Sequence, residues 1–392
     1  MIKFAILTLF VVVICIVVGA GVYLWHFSIK GPAANSVILR GLESEIRSVA
    51  ISPDNHWIVT GGWGKTARLW DLETKNPAAN PIVLRGHAAA IWAVAISNHW
   101  VVTASVDNTA RLWDLEPKDP AANPVVLRGH KSVVYAVAIS SDNHWIVTGS
   151  ADNTACLWDL EAKDPTASPV LLRGHESGVY SVAISQDNRW VITGSRDKTA
   201  RLWDLSANDP AANPVIFLGH EAEIWAVAIS PDNRWVVTGG GDNTARLWDL
   251  SAKDPTAKPV VLRGHKDGIL AVAFSSNNRW VVTGSGDDTA RLWDLNAKDP
   301  AANPMVLRGH KDGILAVAFS SNNRWVVTGS GDNTARLWDL EAKDPAANPI
   351  VLRGHVGPVN AIAFSPDSRW VVTGSADSTA RLWNLGEKKS GG

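Results

Sequence analysis

The sequence predicts an all-β chain: eight four-stranded antiparallel sheets closed into a ring, preceded by one transmembrane helix. Three observations lead there. The decapeptide Gly-Asp-Asn-Thr-Ala-Arg-Leu-Trp-Asp-Leu stands at Gly241–Leu250 and again at Gly331–Leu340, with near-copies elsewhere along the chain. The copies contain segments that alternate at the two-residue period of a strand. Ahead of the first copy lies an uncharged apolar run, Phe4–Trp25.

That run comes first in the chain. As a helix it would reach about 33 Å, enough for the hydrocarbon core of a bilayer. Tyr23 and Trp25 lie at one end of it, where amphipathic rings favour the membrane interface. Residues 1–30 thus read as an uncleaved, single-pass anchor and its flank, meeting lipid through residues 4–25. The competing reading is a cleaved signal peptide, because Val18-Gly19-Ala20 loosely fits a small-residue cleavage site. The apolar run continues past that site and is long for a signal segment. Lys3 flanks one side and Lys30 the other, so the positive-inside rule does not say which side of the membrane the ring occupies.

Residues 31–386 read as one repeat domain. Trp70, Trp113, Trp158, Trp203, Trp248, Trp293, Trp338 and Trp383 are separated by 43 and then six times by 45 residues. Gly-His dipeptides end at His87, His130, His175, His220, His265, His310 and His355 with the same spacings; Gly41-Leu42 stands for the eighth. The second copy is two residues short, with Ile-Ser-Asn-His-Trp in place of Ile-Ser-Pro-Asp-Asn-His-Trp. Leu262–Asp287 and Leu307–Asp332 are identical, the mark of a recent duplication. Inside a copy, Ile-Leu-Ala-Val-Ala-Phe-Ser alternates at period two. Arg-Trp-Val-Val-Thr-Gly-Ser and Thr-Ala-Arg-Leu-Trp-Asp-Leu are rich in β-branched and aromatic residues, and Pro-Val-Val-Leu-Arg-Gly-His supplies a fourth short strand. Ser-Pro-Asp-Asn and Ser-Gly-Asp-Asn are turn chemistry. The loop Ala-Lys-Asp-Pro-Ala-Ala-Asn-Pro holds two prolines that neither a helix nor a central strand accepts easily.

A period of 40 to 45 residues with Gly-His and Trp-Asp marks is the signature of propeller blades. On these motifs, residues 36–385 resemble a WD-repeat (WD40) β-propeller, and the resemblance covers nearly all of the chain outside the apolar segment. An outer-strand segment, Ser36–Gly41, comes first, and the inner strands end near Leu385 with no outer strand after them. The ring should therefore close by the N-terminal strand joining the last blade, which removes open sheet edges. Eight blades are expected; the alternative is seven, with one copy outside the ring. Residues 387–392 read as a solvated, disordered tail.

In the resembled family a Trp, a Ser or Thr, an Asp and a His form a hydrogen-bonded set within each blade. The matching sets here are His87, Thr103, Asp107 and Trp113; His130, Thr148, Asp152 and Trp158; and His175, Thr193, Asp197 and Trp203. They continue with His220, Thr238, Asp242 and Trp248; His265, Thr283, Asp287 and Trp293; His310, Thr328, Asp332 and Trp338; and His355, Thr373, Asp377 and Trp383. Buried indole N–H, hydroxyl and imidazole groups need partners, and one Asp accepting several hydrogen bonds can pin a tight turn. Sevenfold recurrence fits a structural device better than a catalytic or metal site. The first copy has Leu42 for the His and Gly64 for the Asp, with Thr60 and Trp70 kept. Losing both partners together avoids stranding a buried polar group, and this blade is expected to be the least rigid. A second series, Trp57, Trp100, Trp145, Trp190, Trp235, Trp280, Trp325 and Trp370, opens the middle strands. One per blade, it suggests packing between blades or against the turn.

Function should lie where the copies differ. Five residues after the Gly-His mark the series reads Arg47, Trp92, Tyr135, Tyr180, Trp225, Leu270, Leu315 and Asn360. Three residues after, it includes Glu45 and Glu223; just before the turn Asp, it includes Trp63 and Arg196. In proteins this sequence resembles, these places face one end of the propeller around the central channel and commonly contact partners. The partner-binding candidates are Arg47, Trp63, Trp92, Tyr135, Tyr180, Arg196, Glu223, Trp225, Leu270 and Leu315. Exposed aromatics beside an apolar patch with a polar rim suit a protein or peptide site. The plainer reading is that these rings fill the mouth of a wide channel.

Composition narrows the function classes. Formal net charge is −1 and no block of like charge stands out, so nothing marks a nucleic-acid partner. Two cysteines, Cys15 and Cys156, make neither a disulfide framework nor a zinc site. No phosphate loop, zinc spacing or Ser-His-Asp arrangement appears outside the repeated set. No cofactor is expected. The sequence reads as a monomeric ring acting as a membrane-tethered, non-catalytic interaction scaffold. The alternatives are an extracytoplasmic propeller binding a small ligand or carbohydrate and, further off, an enzyme with a site at the channel mouth.

Overall fold

A computed structural model describes residues 36–116, 119–167 and 169–386. The expected membrane segment and C-terminal tail lie outside these residues; among the described residues no helix is long and apolar enough to cross a membrane. Eight four-stranded antiparallel sheets form the ring. Every copy joins it, so the seven-bladed alternative fails. Blade 5 shows the pattern, running outward from Ile224–Ile229 through Trp235–Gly240 and Ala245–Asp249 to Val260–Leu262. The innermost strands of neighbouring blades contact one another around the axis.

The ring closes as expected. Ser36–Leu39 pairs with Ala380–Asn384 of blade 8, Ser36 opposite Trp383 and Leu39 opposite Ala380. Arg381 Nη1 donates to Ser36 Oγ at 3.0 Å, and Asn360 Nδ2 crosses to the Ile46 carbonyl of blade 1 at 2.9 Å.

An antiparallel meander sends its connections alternately to two ends. The Gly-His loops and Gly-Asp-Asn turns share the upper end; the Ser-Pro-Asp-Asn turns and Asp-Pro loops share the lower end. Ser36, opposite Trp383, lies toward the lower end. The lower turns place Asn55, Asn143, Asn188, Asn233, Asn278 and Asn323 at φ 58–63°, a left-handed conformation that Asn tolerates.

The core lies between blades. Ala93, Val102 and Leu112 of blade 2 pack with Val137, Ile146 and Trp158 of blade 3, and the same layer recurs around the ring. Strands are therefore buried on both faces; in Trp235–Gly240 only the leading Trp is partly exposed. The second Trp series sits at the lower margin of these layers, as expected for packing between blades. Arg189, Arg234, Arg279 and Arg324 lie 4.6–5.0 Å from the ring centroids of Trp190, Trp235, Trp280 and Trp325. Each of these arginines also pairs with the Asp that ends its blade's third strand, at 2.9–3.1 Å.

Candidate functional site

The upper end carries two kinds of residue. One kind repeats. In blade 2, Trp113 Nε1 donates to Thr103 Oγ1 at 3.1 Å, and His87 Nε2 lies 2.8 Å from the same oxygen. His87 Nδ1 is 2.8 Å from Asp107 Oδ2, which also accepts the Ala88 N–H at 2.9 Å. Asp107 Oδ1 takes the N–H and hydroxyl of Thr109 at 3.0 and 2.6 Å. A neutral imidazole satisfies this chain: Nδ1–H donates to the carboxylate, and Nε2 accepts from the threonine. Burial pushes the His87, His265, His310 and His355 pKa values down, His265 to about 4. Burial alone would raise the Asp107 pKa, but hydrogen bonds from Thr109, Ala88 and His87 bring it down to about 2.

The other kind varies. At the start of each innermost strand the register slips by one, between Ile224 and Ala226 in blade 5 and at the equivalent place in every other blade. The extra residue is the variable one: Arg47, Trp92, Tyr135, Tyr180, Trp225, Leu270, Leu315 or Asn360. A bulge leaves one residue unpaired and re-aims its side chain. This position is thereby free of the ladder's alternation.

Four of the rings form a continuous edge-to-face arc. Trp63 and Trp92 are 6.0 Å apart, Trp92 and Tyr135 5.3 Å, and Tyr135 and Tyr180 5.2 Å. Trp225 continues the arc by packing on the cluster that holds Tyr180. It lies close over Gly268 of blade 6, where a Cβ would come within 2.3 Å of the indole, so only glycine fits beneath it. The Arg47 guanidinium lies 4.2 Å from the Trp92 centroid and 5.0 Å from that of Trp63. Arg196 and Glu223 approach to 3.8 Å.

Eight segments match the family described as WD domain, G-beta repeat: residues 36–71, 80–114, 123–159, 167–204, 213–249, 258–294, 303–339 and 348–384. The chain belongs to the WD40 family. Its structure is similar to that of the computationally designed Ika8 protein, with a TM-score of 0.72 and 27% identity over 88% of this chain and 99% of that one. No curated protein matched the sequence.

WD40 propellers generally serve as protein-interaction scaffolds. All seven expected hydrogen-bonded sets form, with Trp–Thr distances of 2.9–3.1 Å. Blade 1 keeps its Trp70–Thr60 bond at 3.1 Å, and Leu42 packs where the His would stand. Among the described residues no group of three His, Cys, Asp or Glu side chains could hold a metal ion.

The WD40 ring brings together most of the variable residues, but not with equal access. Trp63, at 46% exposure, and Arg196 are exposed. Trp92, Tyr135, Glu223, Trp225 and Leu270 are half-buried, whereas Arg47, Tyr180 and Leu315 are buried. Their place in the arc is thus to support the rings that reach solvent. Two further repeated columns also make contacts in every blade that keeps them. One is the Thr after the turn Asp. The other is the Arg of Ala-Arg-Leu-Trp, whose guanidinium donates to the Gly carbonyl before the His, as Arg111 does to Gly86 at 2.8 Å. Both were visible as recurring letters.

Proposed function

We propose that this chain is a membrane-tethered, non-catalytic platform that presents the upper face of its ring to a protein or peptide partner. The observation that carries the reading is the arc of Trp63, Trp92, Tyr135, Tyr180 and Trp225 across five blades. The rings are already packed against one another, so little side-chain freedom is lost when a partner docks. Clustered aromatics of this kind supply much of the energy in protein interfaces.

The tether reading rests on the apolar segment of residues 4–25. The first described strand begins at the lower end, with Ser36 opposite Trp383, and a tether held close to that end would turn the aromatic face away from the bilayer. Acidic side chains outnumber basic ones at the lower end, and such an end gains nothing from anionic lipid. Attachment would then depend on the apolar segment alone, which raises the local concentration of membrane partners.

The test is capture of partners by the full-length chain beside a variant carrying Trp92→Ala, Tyr135→Ala, Tyr180→Ala and Trp225→Ala, with an intact fold checked by circular dichroism. Loss of specific partners by the folded variant is the expected result. Equal capture by both proteins would reduce the rings to channel filling.

A further inference from the structure

Neighbouring blades are linked by two hydrogen bonds that recur around the ring. At the lower end, a turn N–H of one blade donates to the turn Asn or Ser of the next. Asp54 donates to Asn98, Ser141 to Asn188, Gln186 to Asn233 and Asp232 to Asn278, at 2.9–3.1 Å. Asn277 to Asn323, Asn322 to Ser368 and Asp367 to Asn55 complete the series at 3.0–3.2 Å. At the upper end, a third-strand Arg donates to the Gly carbonyl that ends the preceding blade, as Arg201 does to Gly174 and Arg246 to Gly219, at 2.9 and 2.7 Å. Five more junctions repeat this contact.

Among the described residues, the junction between blades 2 and 3 has neither. The shortened turn of blade 2 omits the residue whose N–H would reach Asn143, and Asn143 Oδ1 is buried without a partner. Cys156 stands where the other blades have the Arg. Gly129 does not adopt the positive φ shared by Gly41, Gly86, Gly174, Gly219, Gly264, Gly309 and Gly354. The junction where the two chain ends meet, by contrast, keeps both links. The apolar layer of the deficient seam is intact, with Ala93, Val102 and Leu112 against Val137, Ile146 and Trp158; above it the inner strands share one aromatic contact, Trp92 on Tyr135 at 5.3 Å.

We infer that the ring opens first between blades 2 and 3, not at its terminal closure, and that the aromatic arc is the clasp of that seam. An occupant bridging Trp92 and Tyr135 would hold the seam shut, so recognition and ring rigidity are coupled. That consequence rests on the recognition reading above; the seam itself does not. One backbone donor and one guanidinium bond fewer suffice to favour opening there by a factor on the order of a hundred over other seams.

Cys156, fully buried in this seam, reports its opening. The experiment is alkylation of the full-length chain with N-ethylmaleimide, read at the Cys156 peptide by mass spectrometry, so that Cys15 does not interfere. Cys156 should react at least about tenfold faster than global unfolding allows. Trp92→Ala should speed the reaction several-fold, and inserting Pro-Asp between Ser97 and Asn98 should slow it about tenfold by restoring the donor. Asn55→Ala at the terminal closure and Trp225→Ala in another part of the arc should leave the rate unchanged. Reaction only at the global unfolding rate, or equal acceleration by Asn55→Ala, overturns the weak seam. An unchanged rate in Trp92→Ala overturns the clasp. None of these readings depends on capturing a partner, so failure here and failure of the proposed function are separable.

Discussion

Blade 1 lacks His and Asp together, and the same pair can be removed from blade 6. Asp287 accepts four hydrogen bonds: from His265 Nδ1 at 3.0 Å, Lys266 N at 2.8 Å, Thr289 N at 3.0 Å and Thr289 Oγ1 at 2.6 Å. Its side chain is 7% exposed and that of His265 is 1% exposed. At roughly 1 kcal/mol per lost bond, Asp287→Gly should cost about 4 kcal/mol. His265→Leu loses the bonds to Asp287 and Thr283 but gains apolar packing, a net cost of about 2 kcal/mol. In the double variant the shared bond is counted once, and neither partner is stranded opposite a missing one. Its cost should stay near 4 kcal/mol, a coupling of about 2 kcal/mol. The assay is amide exchange at Trp280–Ser285, which reads local opening of blade 6 without assuming two-state unfolding. Additive costs within about 0.5 kcal/mol would refute the claim that the set acts as a unit.

Acidification should destabilise the ring in two stages. The folded pKa of His265 is about 4 against an ordinary 6.5, so the unfolded chain binds the extra proton and stability falls as pH drops below about 6.5. Asp107 and Asp287 sit at about 2, so their contribution is lost between roughly pH 4 and pH 2. Thermal melts from pH 7.5 downward check this, and a melting temperature that rises toward pH 5 would contradict it. In blade 8, Asn384 replaces the strand-end Asp, and Arg369 turns instead to Asp367 at 2.6 Å. Asn384→Asp should draw Arg369 to the strand end, near Trp370, with a gain of at most about 1 kcal/mol; unchanged thermal stability together with an unmoved Arg369 in a crystal structure would contradict it. Full-length chain should float with liposomes, whereas a chain starting at Ser36 should not; equal flotation would remove the tether.

The period made the blade count and the closing strand readable, because each blade repeats one solution to burying an indole, a hydroxyl and an imidazole. The variable series was readable for the same reason: a fixed frame exposes its exceptions. Access to those positions was not readable. The bulge that frees Trp92 or Trp225 from the ladder leaves no mark in the sequence, because it depends on register with the neighbouring strand. Burial of Tyr180 and Leu315 depends on the ring's curvature, and the lodging of Arg47 against two indoles depends on blades meeting side by side. The blade 1 expectation shows the same limit. The letters Leu42 and Gly64 show that His and Asp are lost there, but not that Leu42 packs on the core or that the closure keeps its links.

In a ring of near-identical blades, stability is shared among junctions of almost equal strength, and the terminal closure is only one of them. The junction between blades 8 and 1 carries the same two links as the others together with the Asn360–Ile46 bond, and four residue pairs hold the closing strand in blade 8. The sequence departures that matter are then those that remove links from one junction without replacement. The missing pair of turn residues and the Arg replaced by Cys156 are more than fifty residues apart in the chain, and each alone would be a minor change. Both fall on the seam that the arc crosses between Trp92 and Tyr135. A rigid scaffold therefore has its most deformable line beneath the half-buried Trp92–Tyr135 contact of its aromatic arc, and binding there would trade part of its energy for closing that line.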